Sequence, residues 1–159
     1  MHRLPLFLSL GLMATCAIAG SSLPVRAAEE HFYTLINVDK TSAAFAEDSA
    51  KRGRDGSIRM TVLRVYEGGP IAYATYQMML NCAAKKAQTL EGMNYSRDGR
   101  PSVIEGEAEA TVIKTGTLGA VLRGYICDGV DPYPRSKTIK SLADARERAV
   151  ELIAVEKTR

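Results

Sequence analysis

The sequence is poor in the residues that most enzyme sites require. It contains no tryptophan, two histidines and three cysteines among 159 residues. His2 lies in a segment that we expect to be removed, so the mature chain keeps only His31, close to its start. A nucleophile needs a base beside it, and an imidazole at a chain end is poorly placed for that. No GxGxxG, P-loop, HExxH or EF-hand pattern occurs. We therefore expect a protein that is not an enzyme and has no cofactor or metal site.

Carboxylates offer one catalytic alternative. Glu105, Glu107 and Glu109 alternate along a predicted strand and would share one face. A pair of carboxylates is what a glycosidase uses as acid and base. A solvated polar face explains the same pattern. A small hydrolase that uses these glutamates is therefore a hypothesis that ranks below the two binding functions given at the end of this subsection.

The charge balance gives no reason to expect a nucleic-acid partner. Of the 21 basic residues, Arg3 and Arg26 lie in the N-terminal segment, and the remaining 19 nearly match the 18 acidic residues. A nearly neutral chain lacks the basic excess that attracts a phosphate backbone.

The N-terminus is typical of a secretory signal peptide. A short basic start precedes an apolar run at residues 4–19 that ends in small residues. Cleavage after Ala27 is favoured because acidic residues lie just beyond it, and cleavage after Ala19 is the alternative. An uncleaved membrane anchor and a lipoprotein at Cys16 are further alternatives. We expect residues 1–27 to be removed and the protein to lie in the periplasm or on the outer cell surface.

Export leaves Cys82 and Cys127 as the cysteines of the mature chain. In an oxidising compartment they are most simply a structural disulfide, because neither a CxxC motif nor a histidine-rich neighbour suggests metal or redox chemistry. Closing the loop between them would contribute about 4 kcal/mol in the chain-entropy model. Two free, buried thiols are the alternative.

Hydrophobic periodicity predicts a sheet followed by a helix. Alternating and β-branched residues predict strands at 32–39, 43–46, 57–67, 71–82, 87–95, 102–105 and 109–113. Asp55-Gly56 indicates a tight primed turn, and residues 97–101 indicate a second turn. Apolar residues with helical spacing from Leu118 to Ile126 predict a helix that ends at Cys127, with Thr115 or Thr117 as its N-cap.

The chain beyond this helix divides into a linker and a terminal helix. Residues 129–140 contain two prolines and indicate a linker between the domain at 28–128 and the end of the chain. Ser141 begins a capping pattern that predicts a helix at 141–159, either docked on the domain or projecting from it. The fold class is therefore α+β. The terminal helix could recruit a partner or a second copy of the chain to form a homodimer.

Two groups of basic residues are candidates for partner contact. Lys51, Arg52 and Arg54 lie in a charged connection, and Lys85 and Lys86 come soon after Cys82. They could contact an acidic surface, a glycan or a lipid headgroup, and ordinary loop solvation is the alternative.

The order of these features resembles the bacterial surface-adhesin protein E-like domain. The resemblance covers roughly residues 32–128: a strand containing Val38-Asp39, a charged turn, a tyrosine-bearing strand that ends in Asn81-Cys82 and is followed by basic residues, and a last helix closed by Tyr125-Ile126-Cys127. It implies an antiparallel sheet whose concave face holds that helix through a Cys82–Cys127 bridge. Members often carry tryptophan at the first strand and before the helix, where this chain has Phe32 or Tyr33 and Val112.

These observations predict a non-enzymatic function. We expect an exported binding or structural module of the cell envelope, whose partner is an unknown protein or glycan. The alternative is a periplasmic inhibitor or accessory protein of an envelope enzyme, because small disulfide-bonded β domains also suit that role.

Overall fold

A computed structural model describes residues 31–134 and 138–159. Within them the chain forms β1 (Tyr33–Val38), β2 (Ser42–Glu47), β3 (Lys51–Arg52), β4 (Ser57–Tyr66), β5 (Ile71–Asn81), β6 (Lys86–Ser96), β7 (Pro101–Ile104), β8 (Thr111–Val112), α1 (Leu118–Asp128) and α2 (Leu142–Lys157). The predicted α+β class is confirmed. The predicted signal peptide at 1–27 and its Cys16 lie outside the described residues.

The eight described strands form one antiparallel sheet. Its main order is β1-β2-β4-β5-β6-β7. Strand β3 lies beside the start of β4, where Lys51 is the register partner of Arg59, and β8 lies beside the start of β6. Successive side chains of a strand point to opposite faces. The sheet therefore has two faces, and each must bury its apolar side chains against something.

Helix α1 covers one face, which we call the α1 face. Thr117 begins the helix by accepting a hydrogen bond from the Ala120 N–H, and Gly129 ends it in the left-handed conformation, at φ 67°. Cys82 and Cys127 form a disulfide with a Cα–Cα distance of 5.7 Å. The predicted disulfide and helix are confirmed. The buried residues of this layer are Ile36, Ala44, Ala46, Met60, Val62, Met78, Leu80, Ala87 and Leu122.

Helix α2 covers part of the opposite face, which we call the α2 face. Ser141 caps the helix by accepting a hydrogen bond from the Asp144 N–H. Small alanines let the helix approach the sheet closely, and it docks on its own domain rather than projecting from it. The buried residues of this layer are Tyr33, Leu35, Ala43, Phe45, Leu63, Val65, Ala145, Ala149 and Ile153.

The segment that leads into α2 is bound to the sheet edge. The Tyr133 hydroxyl accepts a hydrogen bond from the Val38 N–H at 3.2 Å. Ile139 and Tyr33 exchange two backbone hydrogen bonds, of 2.7 and 3.0 Å. The described parts of the connection therefore pair with β1 and hold the helix close to its sheet.

Helix α2 covers only part of the α2 face of the sheet. It packs on β1, β2 and part of β4, so the α2 face of β5, β6 and β7 lies largely beyond it. Val103 on β7 is 70% exposed. The open half of this face is where the candidate site lies.

Three details differ from the sequence prediction. The Asp55-Gly56 turn is a four-residue loop, because the Gly53 N–H donates to the Ser57 carbonyl and only Gly56 has a positive φ in this loop. Residues 51–52 are a short strand rather than a connection. The strand predicted at 109–113 is limited to Thr111–Val112, so the preceding glutamates do not lie on a strand.

Candidate functional site

The sheet topology brings the predicted contact residues to one end of the molecule. The β3–β4 loop and the β5–β6 turn lie at the same end, because Ser57 at the start of β4 is the register partner of Asn81 at the end of β5. The same end carries the disulfide. We call its five basic residues the basic rim. They are Lys51, Arg52, Arg54, Lys85 and Lys86, and all are exposed.

None of the ion pairs among the described residues involves the basic rim. Asp55 is the acidic residue nearest in sequence, and its carboxylate accepts the Ser57 hydroxyl at 2.6 Å and the Ser57 N–H at 3.1 Å. These hydrogen bonds are the main reason that the pKa of Asp55 is lowered, with the charge of Arg59 a smaller cause. Among the described residues, no carboxylate therefore neutralises the charge of the rim through an ion pair.

A depression on the α2 face adjoins the basic rim. We call it the cationic pocket, and its volume is about 250 Å³. Lys51 and Arg59 face each other across β3 and β4, and Thr61 faces Gln77 across β4 and β5. Ser49 lies before β3. The pocket thus combines two cations with two hydroxyls and one carboxamide, a set suited to an anion that also carries hydrogen-bonding groups.

A second depression continues from the cationic pocket across the sheet. We call it the trough, and its volume is about 400 Å³. Thr61 and Gln77 line both depressions, so they are adjacent. Beyond these shared residues the trough is lined by Thr75, Tyr76, Glu91, Gly92, Met93 and Val103. Its lining mixes hydroxyl, carboxylate, thioether and aliphatic groups. The trough therefore offers both apolar contact and hydrogen bonds.

An aromatic stack lies beyond the trough on the same face. The rings of Tyr73 and Tyr95 stack with centroids 4.5 Å apart. The Arg146 guanidinium of α2 lies 4.5 Å from the centre of the Tyr73 ring. Through Arg146, α2 therefore contacts β5 at the border of the open part of the α2 face.

Another candidate is a groove on the α1 face that is lined by Arg64, Tyr66 and Tyr76, among others. The charge of its arginine already has partners within the fold. Arg64 donates two hydrogen bonds to the Ser42 hydroxyl, at 3.1 and 2.9 Å, and lies 3.7 Å from the Asp39 carboxylate. Burial raises the pKa of Asp39, but hydrogen bonds from Thr41 and Ser42 outweigh it and lower that pKa overall. Tyr76 lines the same groove, and desolvation raises its pKa to about 12. The Arg64 guanidinium, which could bind an anion in this groove, is therefore already engaged by Ser42 and Asp39.

The structure does not assemble the three glutamates into a carboxylate pair on a strand. Glu105, Glu107 and Glu109 lie in the irregular segment between β7 and β8 and are exposed. The Glu107 carboxylate accepts a hydrogen bond from the Thr89 N–H of β6 at 3.1 Å. It thereby pairs a backbone group at the edge of β6. Its role in holding the sheet edge is structural. His31 contacts the buried carboxylate of Glu47.

The five basic residues were predicted from the sequence as two separate groups, and of the residues lining the cationic pocket only Lys51 was among them. Arg59 and Thr61 alternate along β4, so the sequence could have placed them on one face. Gln77 carries no such signal, since only the β4–β5 register puts it opposite Thr61. The trough likewise depends on where α2 stops covering the sheet.

No protein-family model, no curated protein and no solved structure matches the chain. The resemblance to surface-adhesin protein E-like domains stays a prediction. Within residues 31–134 and 138–159, no helix has the length and apolar character that a membrane span requires. The same residues contain no group of metal-ligating side chains.

Proposed function

We propose that this chain is an exported, non-enzymatic binding module of the bacterial cell envelope that holds an acidic partner at its basic rim. The observation that carries the proposal is the gathering of five basic side chains at one end of the sheet, with no ion pair to any described acidic residue. Complementary charge directs association and orientation even where it adds little affinity.

The disulfide supports the export part of the proposal. Structural disulfides persist in oxidising compartments and are rare in the cytosol. The Cys82–Cys127 bond joins the end of β5, beside the basic rim, to α1. Formation of this bond in an oxidising compartment would therefore also hold the proposed binding surface in place. Because the bond lies beside the rim, we expect its reduction to weaken binding as well as stability.

The arrangement of potential catalytic groups supports the non-enzymatic part. The three exposed glutamates lie in an irregular segment, and Glu107 is engaged by the β6 backbone. His31 is engaged by Glu47. Glu107 and His31 therefore serve contacts within the fold, whereas no ion pair among the described residues involves the basic rim.

Charge reversal tests the binding surface. We expect an Arg52→Glu/Lys86→Glu variant to elute from immobilised heparin, used as a polyanion probe, at clearly lower salt than the wild type. The matched control is Lys40→Glu/Arg100→Glu, which changes the net charge equally in two exposed turns at the opposite end of the sheet. Elution of the two variants at the same salt concentration would show that the rim is not the binding surface.

Fractionation tests the compartment. When the full chain is produced in a bacterium, we expect the protein in the periplasmic or surface fraction, with a mass that corresponds to a chain beginning at Ala28 and one disulfide. A cytoplasmic chain with its N-terminus intact would contradict export.

A further inference from the structure

The cationic pocket contains a charge arrangement that the described protein does not neutralise. Lys51 and Arg59 are direct register partners on adjacent antiparallel strands. Like charges directly opposite each other destabilise a sheet. No ion pair among the described residues involves either side chain, and Asp55 is held by Ser57. An anion between the two cations would relieve their repulsion.

The rest of the cationic pocket suits more than a bare anion. Thr61 and Ser49 supply hydroxyls that both donate and accept hydrogen bonds, and Gln77 supplies a carboxamide that does the same. A volume of about 250 Å³ is small, below the usual range for drug-sized ligands of roughly 300–1,000 Å³. The pocket is therefore suited to one compact polar group.

The trough extends this site in a way that selects against further negative charge. It adjoins the pocket at Thr61 and Gln77 and contains Glu91, the register partner of Gln77. A second anionic group lying here would be repelled by the Glu91 carboxylate. Met93 and Val103 add apolar surface. The trough therefore favours a neutral, hydroxyl-rich group that also has an apolar face, and a pyranose ring has this combination.

We propose that the cationic pocket and the trough together bind a glycan that ends in a single acidic sugar followed by neutral sugars. The acidic group, a carboxylate or a sulfate, lies between Lys51 and Arg59. The neutral sugars extend over Thr75 and Met93 and donate hydroxyls to Glu91. This inference rests on the proposed binding function and names its ligand class. A linear polyanion does not fit, because its successive charges would meet Glu91.

A glycan array tests the ligand class. The oxidised, mature protein is applied to glycans that end in a sialic acid, a uronic acid or a sulfated sugar, each printed beside its neutral parent. We expect acid-terminated glycans to be retained about tenfold or more over their neutral parents, because the neutral parents carry no anionic group to pair with Lys51 and Arg59. Equal retention of acidic and neutral forms would overturn the proposal. Signal that rises with the number of charges per glycan, and that persists unchanged in an Arg59→Gln variant, would also overturn it.

Variants locate the ligand. Arg59→Gln should reduce binding of the acid-terminated glycans about tenfold, and Gln77→Leu should reduce it with no change in net charge. Lys85→Gln is the matched control, because it removes one positive charge from the basic rim outside the pocket lining, and it should change glycan binding by less than about threefold. If Lys85→Gln weakened binding as much as Arg59→Gln did, general attraction would explain the binding and the pocket would not.

The two proposals fail separately. If the wild type is retained on heparin through the basic rim but shows no preference for acid-terminated glycans, the ligand class is wrong and the binding surface stands. If retention on heparin is independent of the rim while Arg59→Gln and Gln77→Leu abolish glycan binding, the pocket stands and the rim does not.

Discussion

Cys82 and Cys127 join the turn after β5 to the last turn of α1 across a Cα–Cα distance of 5.7 Å. The bond therefore fastens a helix to the face of the sheet that it covers, at the end that carries the basic rim. Because the two cysteines are 45 positions apart in the sequence, the bond restricts a large part of the unfolded chain.

Removing this bond should lower stability substantially. We expect a Cys82→Ala/Cys127→Ala variant to lose about 4 kcal/mol of unfolding free energy, the chain-entropy value for a loop of this length. Urea denaturation of both proteins measures the difference. A reducing agent should shift the wild-type midpoint and leave the variant unchanged. A wild-type midpoint that did not respond to reduction would contradict the role assigned to the bond.

Helix α2 should contribute to the same folding unit as the sheet. Ile153 is fully buried against the sheet, whereas Val150 on the same helix is 53% exposed. Ile153→Ala should cost about 2–5 kcal/mol because it leaves a cavity, and Val150→Ala should change stability by no more than about 0.5 kcal/mol. Chemical denaturation provides the comparison. Equal effects at the two positions would mean that the helix is not packed on the sheet in solution.

Tyr76 should make the fold sensitive to alkaline pH. Desolvation raises its pKa from 10.0 to about 12. Between these two values the unfolded chain releases the proton while the folded chain keeps it, so stability falls as the pH rises from about 10 to about 12, by roughly 2–3 kcal/mol. The pH dependence of the urea midpoint measures this loss.

A Tyr76→Phe variant provides the control for that titration. It should lack this part of the alkaline destabilisation and one late-titrating tyrosine in the ultraviolet absorbance. The same pH dependence in the variant and the wild type would assign the effect to other groups.

Gly92 should be intolerant of any side chain. A Cβ atom there would lie 2.5 Å from the Tyr76 Cβ and 2.6 Å from the Thr75 carbonyl oxygen. Gly92→Ala should therefore cost about 1–3 kcal/mol through overpacking. Gly124→Ala is the control, because a Cβ at that position meets nothing within 4 Å. In a helix that change should stabilise by about 0.5–1 kcal/mol. Thermal melts of the two variants should shift in opposite directions, and a shared direction would contradict the packing at Gly92.

The sequence determined both helices, most of the strands and the covalent link of this protein. Period-two alternation places Ala74, Met78 and Leu80 on one face of β5, and the helical spacing from Leu118 onward identifies α1. Only two cysteines follow the predicted signal peptide, so a single intrachain disulfide was possible. The structure contains this disulfide. Such features depend on local geometry, which is why a single chain read in order reveals them.

Only the tertiary structure decided where the open surface lies. The sequence predicted α2 but left open whether it docks, because an apolar stripe does not specify its partner. The cationic pocket joins Lys51, Arg59 and Gln77 from three strands, and their proximity depends on strand register and on where α2 ends its cover of the sheet. Both are set by long-range pairing and packing, which no local pattern in the chain encodes.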